Sequence, residues 1–392
     1  MHILVLHPVS SWQLQRVLEA ARKHHTLVSI VTINGSQVAR GMAGIEEWIR
    51  VDALSDDTES LKRLLRDKYT AVMAGNEFAV IAADQLAQSL GLYHNDIEKI
   101  KASRDKARMR QAFTKAGVLQ PRVLAVVGDV RDSLVFDLPD NRYPVIVKPT
   151  NMAMSLFVGL CRSRVEIETH LAKMADFEKS KLTNYKFARE ALIEEFVGGE
   201  EYSFEVVIES GKIVLGALTR KFVSPLPSCY EIGHLSGAAL GPDASSTLST
   251  FAEQIAFAWG MLFGVMHLEF KLHEGRIYVI EAGARPAGDL IPILVEMKYG
   301  FSLEEAALLC RHGGSVGAME RRSHSEHMYG VRFEYRERKC FETTPGIKII
   351  RDSRNTYSAH ADSDYFSTSR RTGHVIIETQ SLSAAEYVLG SI

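Results

Sequence analysis

The sequence has no long hydrophobic run, no strong excess of one charge and no signal-peptide pattern. None of its apolar stretches approaches the roughly 20 residues that a membrane-spanning helix needs. The apolar start, residues 1–8, is too short for the core of a signal peptide and has no basic lead. Lysine and arginine total 46 against 48 acidic residues, so there is no basic excess for binding nucleic acid. We therefore expect a cytoplasmic protein that engages neither membranes nor nucleic acid, with only local anion-binding groups.

Cysteine is scarce, and several catalytic signatures are missing. The four cysteines, Cys161, Cys229, Cys310 and Cys340, form no CxxC pair, which argues against a zinc site and a disulfide framework. We expect them to be reduced structural thiols. No GxGxxG follows the first apolar run, and there is no nucleophile elbow or HExxH motif. These absences disfavour dinucleotide binding and covalent catalysis.

The first hundred residues alternate between short apolar runs and helical patterns. The patterns predict strands at 2–6, 27–33 and 71–75 and helices at 12–23 and 80–90. This alternation predicts a parallel, doubly wound α/β layer. Further along, Thr247 to Gly264 predicts one long amphipathic helix. The length of 392 residues allows one multi-lobed unit or two to three domains.

Two acidic residues lie in predicted strands of one hairpin. Glu269 and Glu281 flank the sequence Glu274-Gly275-Arg276, which predicts a tight turn. Neighbouring strands lie about 5 Å apart, so the two carboxylates can face one small volume. Paired carboxylates suit Mg²⁺, which prefers oxygen ligands and is often shared with substrate phosphates. Arg285, four residues later, would bring a cation to developing negative charge; a surface salt bridge is the alternative for it.

Two lysines and one acidic segment complete the candidate site. Lys148 ends a predicted strand in an apolar run, where a buried ammonium is costly unless it meets phosphate or a carboxylate. Lys106 lies on a charged helical stretch, where a solvated lysine is the default interpretation. Residues 192–203 predict a strand that ends in acidic residues and continues through Gly198-Gly199 to Glu201. A charged strand end in solvent remains the alternative for this segment.

In chain order, the candidate segments contain Lys106, Lys148, residues 192–203, Glu269 and Glu281. This series resembles that of the ATP-grasp ligases, and the resemblance covers roughly residues 100 to 290. It implies an α/β protein with the ATP-grasp fold. The N-terminal doubly wound domain would span 1–98, and the ATP-grasp core 99–312, with a lid subdomain at about 120–198. A small C-terminal α+β lobe would span 313–392.

The resemblance implies ATP and Mg²⁺ as cofactors. The implied nucleotide contacts are Lys106 and Lys148 to phosphates, Glu201 to the ribose and, around the adenine, Glu194, Glu195, Phe196 and Val197. Glu269 and Glu281 are the implied ligands of one or two Mg²⁺ ions, with Mn²⁺ as a possible substitute.

The chain departs from the family pattern at two places. The segment after Lys148 contains little glycine, which predicts a stiffer lid loop; Ser155 would contact phosphate there, or the segment is a simple hairpin turn. Gly283 stands where the family has an asparagine, which removes one expected oxygen ligand. Restoring that residue with Gly283→Asn should strengthen magnesium binding, unless the new side chain clashes.

Two short runs, Glu281 to Asp289 and Glu231 to His234, are most similar to those of the L-amino-acid ligases, which form dipeptides or related amides. By this resemblance Arg285 would stabilise the oxyanion and, with Gly288, border the amine pocket. Glu231 and His234 would contact substrate, although a core histidine is the competing interpretation of His234. The implied function is an ATP-dependent carboxylate–amine ligase that joins amino acids through an acyl phosphate and releases ADP and phosphate.

Three alternatives remain open at this stage. One is an enzyme of the same fold that loads an amino acid onto a carrier-protein thiol, and another is a carboxylase that uses bicarbonate. The third is an ATP-binding module without turnover, against which the complete set of lysines, carboxylates and arginine argues. The expected partners are small-molecule amino-acid, carboxylate and amine substrates, a homodimer partner and, under the first alternative, the carrier protein.

Overall fold

The computed structural model describes the chain except for residues 34–35, 37, 40, 53, 55–58, 66–68, 133–137, 180–184, 225–229, 336–343, 355–370 and 391–392. Cys161 and Cys310 are buried free thiols, in agreement with the prediction, whereas Cys229 and Cys340 lie outside the described residues. Among the helices of the described part, none has the length and apolar character needed to cross a bilayer.

The N-terminal region is a parallel sheet with helices on both faces. Its elements are β1 (His2–Leu6), α1 (Ser11–Lys23), β2 (Leu27–Ile33), β3 (Ile45–Val51), α2 (Glu59–Leu64), β4 (Ala71–Ala74) and α3 (Val80–Ser89). The strand order is β3-β2-β1-β4. Ile3 and Val5 pack in the core that contains α1, whereas Leu4 and Leu6 pack in the core that contains α3. Successive side chains of a strand point to opposite faces, so one apolar strand serves both layers. The predicted α/β layer is confirmed.

A small antiparallel sheet follows two connecting helices, α4 (Ile97–Ile100) and α5 (Lys106–Ala116). Its elements are β5 (Val123–Val127), β6 (Val145–Pro149), β7 (Gly159–Cys161), α6 (Arg164–Ala175) and β8 (Ala191–Glu195). The strand order is β5-β8-β6-β7, and α6 packs Ile167 and Leu171 into its core. All of these strands fall within residues 120–198, the range predicted for the lid; the domain boundaries themselves stay predictions.

The third sheet has eight strands and is antiparallel throughout. Its strands are β9 (Glu200–Glu209), β10 (Lys212–Val223), β11 (Glu231–Ser236), β12 (Gly264–His273), β13 (Arg276–Gly283), β14 (Met328–Tyr335), β15 (Ile347–Asp352) and β16 (Arg371–Thr379). They lie in the order β13-β12-β9-β10-β11-β14-β16-β15. The last three strands along the chain therefore extend the same sheet that carries the predicted metal carboxylates.

Two hairpins of this sheet close through two-residue turns. Ser210-Gly211 has φ values of 52° and 75°, and Glu274-Gly275 has φ values of 50° and 74°. Positive φ at both turn residues is typical of the type I′ turn, whose twist matches that of the flanking strands. The predicted turn between Glu269 and Glu281 is confirmed.

The helices that cover this sheet are α7 (Pro242–Ala258), α8 (Ile291–Tyr299), α9 (Leu303–Arg311) and α10 (Leu382–Gly390). The predicted helix from Thr247 to Gly264 is wrong at both ends. Pro242 occupies the first turn of α7, where its fixed φ and missing N–H are tolerated. Beyond Ala258 the chain leaves the helix, and the side chain of Asn95 accepts from the backbone N–H of Leu262, at 2.9 Å. This contact with a distant residue cannot be read from local periodicity.

Candidate functional site

A cavity of about 1050 Å³ lies where the three sheets meet. Of the residues predicted from sequence, it is lined by Lys106, Lys148, Ser155, Glu194, Glu195, Phe196, Val197, Glu201, Glu231, Glu269, Glu281, Arg285 and Gly288. His234 is the exception among the predicted residues and does not line it. The structure thus brings together residues that are separated by almost two hundred positions in the chain.

The predicted metal carboxylates are direct cross-strand partners. Glu269 on β12 lies opposite Glu281 on β13. Lys221 Nζ lies 2.5 Å from Glu269 Oε1, and Lys106 Nζ lies 2.9 Å from Glu281 Oε1. Burial would raise the pKa of Glu269, but Lys221 and His267 lower it well below its usual range. The hairpin therefore presents two carboxylates, both already in contact with cations, to one small volume.

His267 is a hydrogen-bonding partner of Glu269. Its Nδ1 lies 2.6 Å from Glu205 Oε1, and its Nε2 lies 3.1 Å from Glu269 Oε1. Burial lowers the pKa of His267, but the two carboxylates outweigh that effect and raise it to about 9. A protonated imidazole donates through both nitrogens, so His267 holds Glu269 in place and is not free to act as a base at neutral pH.

Lys221 is a central residue that sequence reasoning missed. Its ammonium is buried and lies 2.8 Å from Glu231, 2.5 Å from Glu269 and 3.3 Å from Glu201. Burial would lower the pKa of Lys221, but the three carboxylates raise it well above its usual range. One lysine on β10 thereby joins the predicted ribose, metal and substrate carboxylates. The surrounding segment reads as an ordinary strand, so only the neighbouring strands reveal its role.

Lys148 and Glu194 form a buried ion pair with Arg110. Lys148 Nζ lies 2.9 Å from Glu194 Oε2, and Arg110 Nε donates to Glu194 Oε1 at 2.7 Å. Burial would raise the pKa of Glu194, but Lys148 and Arg110 lower it to about 2. Burial lowers the pKa of Lys148 in spite of Glu194. Arg110 was not predicted, although it follows Lys106 by four residues and so shares its face of α5.

The predicted adenine hinge lies just beyond the end of β8. The backbone groups of Phe196 and Val197 make no hydrogen bond within the described part of the chain and border the cavity. Glu195 is different, because its N–H donates to Arg122 O at 3.0 Å and its carboxylate accepts from Arg122. Gly199 closes the turn with φ of +91°; a Cβ there would lie 2.2 Å from Leu272 O. Only glycine fits this close approach of two backbones.

The 150–158 loop carries Ser155 and contains three non-glycine residues with positive φ. They are Met154 at 61°, Ser155 at 53° and Phe157 at 54°. Such conformations cost roughly 1–3 kcal/mol each and persist only where the surroundings hold them. The loop is held by Lys106, which donates to Met152 O at 2.6 Å, and by His170, which donates to Phe157 O at 2.8 Å. Ser155 lines the cavity, and its predicted phosphate contact stays a prediction.

Arg285 points into the cavity and is held by a residue of the N-terminal domain. Its Nε forms an ion pair with Glu77 Oε2, and its Nη1 donates to Pro286 O at 2.7 Å. Glu77 also lies beside Gly283, where a Cβ would be 2.8 Å from Glu77 Oε2. The space of the family asparagine is therefore already filled by a carboxylate that two arginines hold in place.

We expect Gly283→Asn to impair the enzyme and not to tighten its use of magnesium. The new side chain would displace Glu77 and, with it, Arg285; a misplacement of about 1 Å costs on the order of a hundredfold in rate. Steady-state assays across a magnesium titration measure this effect. Gly241→Asn, just before α7, is the matched control, because nothing lies within 4 Å of a Cβ there, its φ is −60° and it does not line the cavity. A lower magnesium requirement in Gly283→Asn at normal rate would contradict the account.

Glu231, one of the predicted substrate residues, forms an ion-pair cluster with Asp289 and Arg371 at the far end of the cavity. Arg371 donates to Asp289 Oδ1 at 2.7 Å and lies 3.3 Å from Glu231 Oε2. Burial would raise the pKa of Asp289, but Arg371 lowers it well below its usual range. Asp289 and Arg371 both line the cavity and were absent from the predicted set.

His234 lies behind this cluster, so the predicted direct contact with substrate is not available in this structure. Its side chain is fully buried, and Nε2 lies 3.7 Å from both Glu231 Oε2 and Asp289 Oδ2. A bulge between β10 and β11 puts Glu231 and His234 on the same side of the strand. The ring of Phe333 packs edge-on against His234, with ring centroids 5.3 Å apart. His234 therefore packs behind Glu231 and Asp289, on the side away from the cavity.

The residues present fit a nucleotide triphosphate with a hard divalent cation. Lys148 and Lys106 are buried lysines at the cavity wall, a costly arrangement that phosphate oxygens would stabilise. Unpaired backbone groups at Phe196 and Val197 offer the donor and acceptor that an adenine edge needs. Glu269 and Glu281 supply the oxygen donors that Mg²⁺ prefers.

Comparison with known proteins identifies an ATP-grasp domain within the chain. Residues 141–293 match the ATP-grasp domain family. An alanine–anticapsin ligase of Bacillus subtilis (strain 168) is 26% identical over 308 residues, which cover 72% of this chain and 63% of that protein. The chain thus spans less than two thirds of the length of this relative.

Solved structures show the same fold at lower identity. The L-amino acid ligase of Bacillus licheniformis superposes with a TM-score of 0.75 at 17% identity, covering 98% of this chain and 95% of that one. The biotin carboxylase domain dimer of the Hydrogenobacter thermophilus 2-oxoglutarate carboxylase, solved with MgADP and bicarbonate, has a TM-score of 0.66 at 16% identity, covering 96% and 85%. The domain match over residues 141–293 and the shared architecture along the whole length show that the chain has the ATP-grasp fold.

Proposed function

We propose that the protein is an ATP-dependent carboxylate–amine ligase that joins two amino acids, or an amino acid and a related amine, into an amide. The observation that carries this proposal is the cross-strand pair Glu269 and Glu281, in one cavity with Lys106, Lys148 and Arg285. The two lysines and the metal held by the carboxylates would neutralise a triphosphate. Arg285 would remain for the reacting carbonyl. The similarity to an alanine–anticapsin ligase supports amino acids as substrates.

ATP would bind between the small sheet and the large sheet. The backbone of Phe196 and Val197 would hold the adenine, and Glu201 would accept from the ribose hydroxyls. Lys106, Lys148 and Ser155 would contact the phosphates. Glu194 is fully engaged by Lys148 and Arg110, so its contribution is to orient Lys148. Lys221 would hold Glu201, Glu231 and Glu269 in place, because its ammonium already lies between these three carboxylates of the cavity.

Glu269 and Glu281 would hold one or two magnesium ions. When bound, magnesium neutralises phosphate oxygens and orients the γ-phosphoryl group for in-line attack. His267 keeps Glu269 oriented through the hydrogen bond to its Oε1. Gly283 offers no side-chain oxygen, so water and the phosphates would complete the coordination.

The reaction would proceed in two balanced steps. A carboxylate oxygen of the first substrate attacks the γ-phosphorus, and the bond to the bridging oxygen breaks to give an acyl phosphate and ADP. The neutral amine of the second substrate then attacks the acyl carbon, loses a proton and expels phosphate, which leaves with the former carboxylate oxygen. Arg285 would stabilise the tetrahedral oxyanion, a contribution of about 3–4 kcal/mol for one donor in a site shielded from water.

The far end of the cavity would bind the amino-acid groups. Glu231 would accept from a substrate ammonium or amine, with His234 supporting it from below. Gly288 borders open space, since nothing lies within 4 Å of a Cβ there. This leaves room beside Arg285 for the attacking amine. A homodimer stays a prediction; among the related structures, a dimer is named for the 2-oxoglutarate carboxylase domain.

Two other reactions are compatible with the same phosphoryl transfer. In one, a carrier-protein thiol replaces the amine, and in the other, bicarbonate replaces the amino-acid carboxylate. A biotin carboxylase domain of the same fold was solved with MgADP and bicarbonate, which supports the latter as an alternative. A binding module without turnover is disfavoured by the buried lysines and paired carboxylates that line the cavity.

The testing experiment is a screen of amino-acid pairs for ATP-dependent phosphate release, with mass spectrometry of the product. ADP, phosphate and an amide in equal amounts support the proposal. AMP and pyrophosphate would exclude the acyl-phosphate route. Bicarbonate dependence would favour the carboxylase, activity only with a carrier protein would favour thiol loading, and nucleotide binding without any turnover would favour the binding module.

Glu201→Ala should raise the Michaelis constant for ATP about tenfold or more, because a hydrogen bond to a charged group contributes roughly 1.5–3 kcal/mol. It should also remove the preference for ATP over 2′-deoxy-ATP. Kinetics with both nucleotides measure the effect. Glu200→Ala is the matched control, because Glu200 faces away from the cavity and binds Tyr202 and Arg220. An unchanged preference in Glu201→Ala would remove the ribose role.

A further inference from the structure

Glu77 is a buried acidic residue of the N-terminal domain that reaches the catalytic cavity. It follows β4 directly, and its side chain is only 8% exposed. Asn76 caps this turn, since its Oδ1 accepts from the backbone N–H of Phe78 at 2.6 Å. Burial would raise the pKa of Glu77, but Arg285 and Arg104 lower it below its usual value. A buried carboxylate of this kind is stable only with its cations in place.

Each oxygen of Glu77 binds a different arginine. Oε2 pairs with Arg285 Nε, and Oε1 accepts from Arg104 Nη1 at 3.0 Å. The guanidinium is planar and rigid, so a carboxylate at Nε and a carbonyl at Nη1 fix the direction of the whole group. Arg285 has both, the second being Pro286 O. Two of the three guanidinium nitrogens are thereby engaged, and we assign Nη2 to the reacting atoms.

Arg104 continues this connection to the 150–158 loop. Its Nη2 donates to Asn151 O at 3.1 Å. Its guanidinium carbon lies 4.7 Å from the ring centre of Phe78 and 5.5 Å from that of Tyr185. Asn151 in turn donates to Lys186 O and accepts from the N–H of Ala188. Buried Arg104 therefore connects the N-terminal region, through Glu77, to the small sheet, through Asn151.

We propose that Glu77 is a positioning residue for Arg285 and that, through Arg104, it couples the direction of that arginine to the position of the 150–158 loop. The loop carries Ser155. Phosphate binding at the loop and the orientation of Arg285 are therefore linked through the contacts of Glu77 and Arg104. The catalytic part of this proposal rests on the proposed ligase function. Coupling of this kind keeps Arg285 aligned for the second step only while the loop covers the phosphates.

The test compares Glu77→Gln with Asp84→Asn. Asp84 on α3 forms a buried ion pair with Arg311 in the same region, but neither residue lines the cavity. Glu77→Gln should lower kcat by about thirtyfold to a hundredfold, with the KM for ATP changed less than about threefold. Asp84→Asn should lower thermal stability but leave kcat unchanged. If both variants lose stability and neither loses kcat, Glu77 is structural and the proposal is overturned.

A second readout does not depend on ligase turnover. Amide hydrogen exchange of residues 150–158 is followed as Mg²⁺ and ADP are added to the full chain. The protection gained by the wild-type loop should be smaller in Glu77→Gln and in Arg104→Lys, since a single ammonium cannot reproduce the two separate nitrogens with which Arg104 binds Glu77 and Asn151 O. Asp84→Asn should behave as wild type. Unchanged protection in Arg104→Lys overturns the coupling, whatever the fate of Glu77→Gln.

The two readouts separate the two claims. If no amino-acid pair is joined by the wild-type protein, the ligase proposal fails, yet the exchange experiment still decides whether the loop is coupled to Glu77. If ligation occurs and Glu77→Gln keeps a normal kcat, the ligase proposal stands and the positioning role is excluded.

Discussion

Glu281→Gln should abolish turnover, with a fall in kcat of about a thousandfold or more. The substitution keeps the size of the side chain but removes one charge from the pair that would hold magnesium, whose electrostatic stabilisation contributes several kcal/mol. Steady-state phosphate release over a range of magnesium concentrations measures the effect. The fold should be retained, because Glu281 loses only its contact with Lys106.

The matched control for this prediction is Glu274→Gln, an exposed carboxylate in the turn of the same hairpin. It should leave both the rate and the magnesium requirement unchanged. Near-normal activity of Glu281→Gln at low magnesium would show that the metal is held elsewhere or is not needed.

Arg285→Lys should lower kcat by about 10²–10³-fold, which is the usual effect of removing one oxyanion donor. Lysine keeps the charge, but its donors leave a single nitrogen, so it cannot reproduce the planar spread with which Arg285 meets Glu77, Pro286 O and a reacting oxygen. The KM values for ATP and the carboxylate should change much less than kcat. Separate measurement of kcat and of nucleotide affinity tests this expectation.

Arg276→Lys is the corresponding control, because Arg276 begins β13 in an exposed position and packs over Tyr278. Equal losses of ATP affinity and rate in Arg285→Lys would make Arg285 a nucleotide ligand. With a verified carboxylate substrate and hydroxylamine in place of the amine, a trapped hydroxamate would show that the first step survives the substitution.

The sequence predicts the hairpin of the site well, because the information there is local. Glu274-Gly275 dictates a tight turn, and the turn fixes the register that puts Glu269 opposite Glu281. The N-terminal α/β layer was also predictable, since buried parallel strands are short continuous apolar runs.

Residues whose importance depends on distant neighbours were not predictable. Lys221 looks like any lysine of a strand until β9, β11 and β12 bring three carboxylates to it. Glu77 lies more than two hundred positions from Arg285, and nothing local marks it. His234 was placed at the cavity because the strand alone does not reveal that Glu231, Asp289 and Phe333 cover it.

The C-terminal region illustrates the same limit at the level of the fold. A small α+β lobe was expected over residues 313–392, and β14, β15 and β16 of this range continue the sheet of β9 to β13. Arg371 of β16 then reaches Asp289 and Glu231, so the far end of the cavity is built partly by this region. Strand order across a sheet is a long-range property, and periodicity does not encode it.

The most direct test of the central claim is the fate of carboxylate oxygen during ligation. A verified amino-acid substrate carrying ¹⁸O in its carboxylate is ligated with unlabelled ATP, and the released phosphate and nucleotide are analysed by mass spectrometry. The acyl-phosphate mechanism predicts one ¹⁸O in the phosphate for each amide formed, with ADP unlabelled. Label in AMP, or amide formation without label in phosphate, would contradict the account.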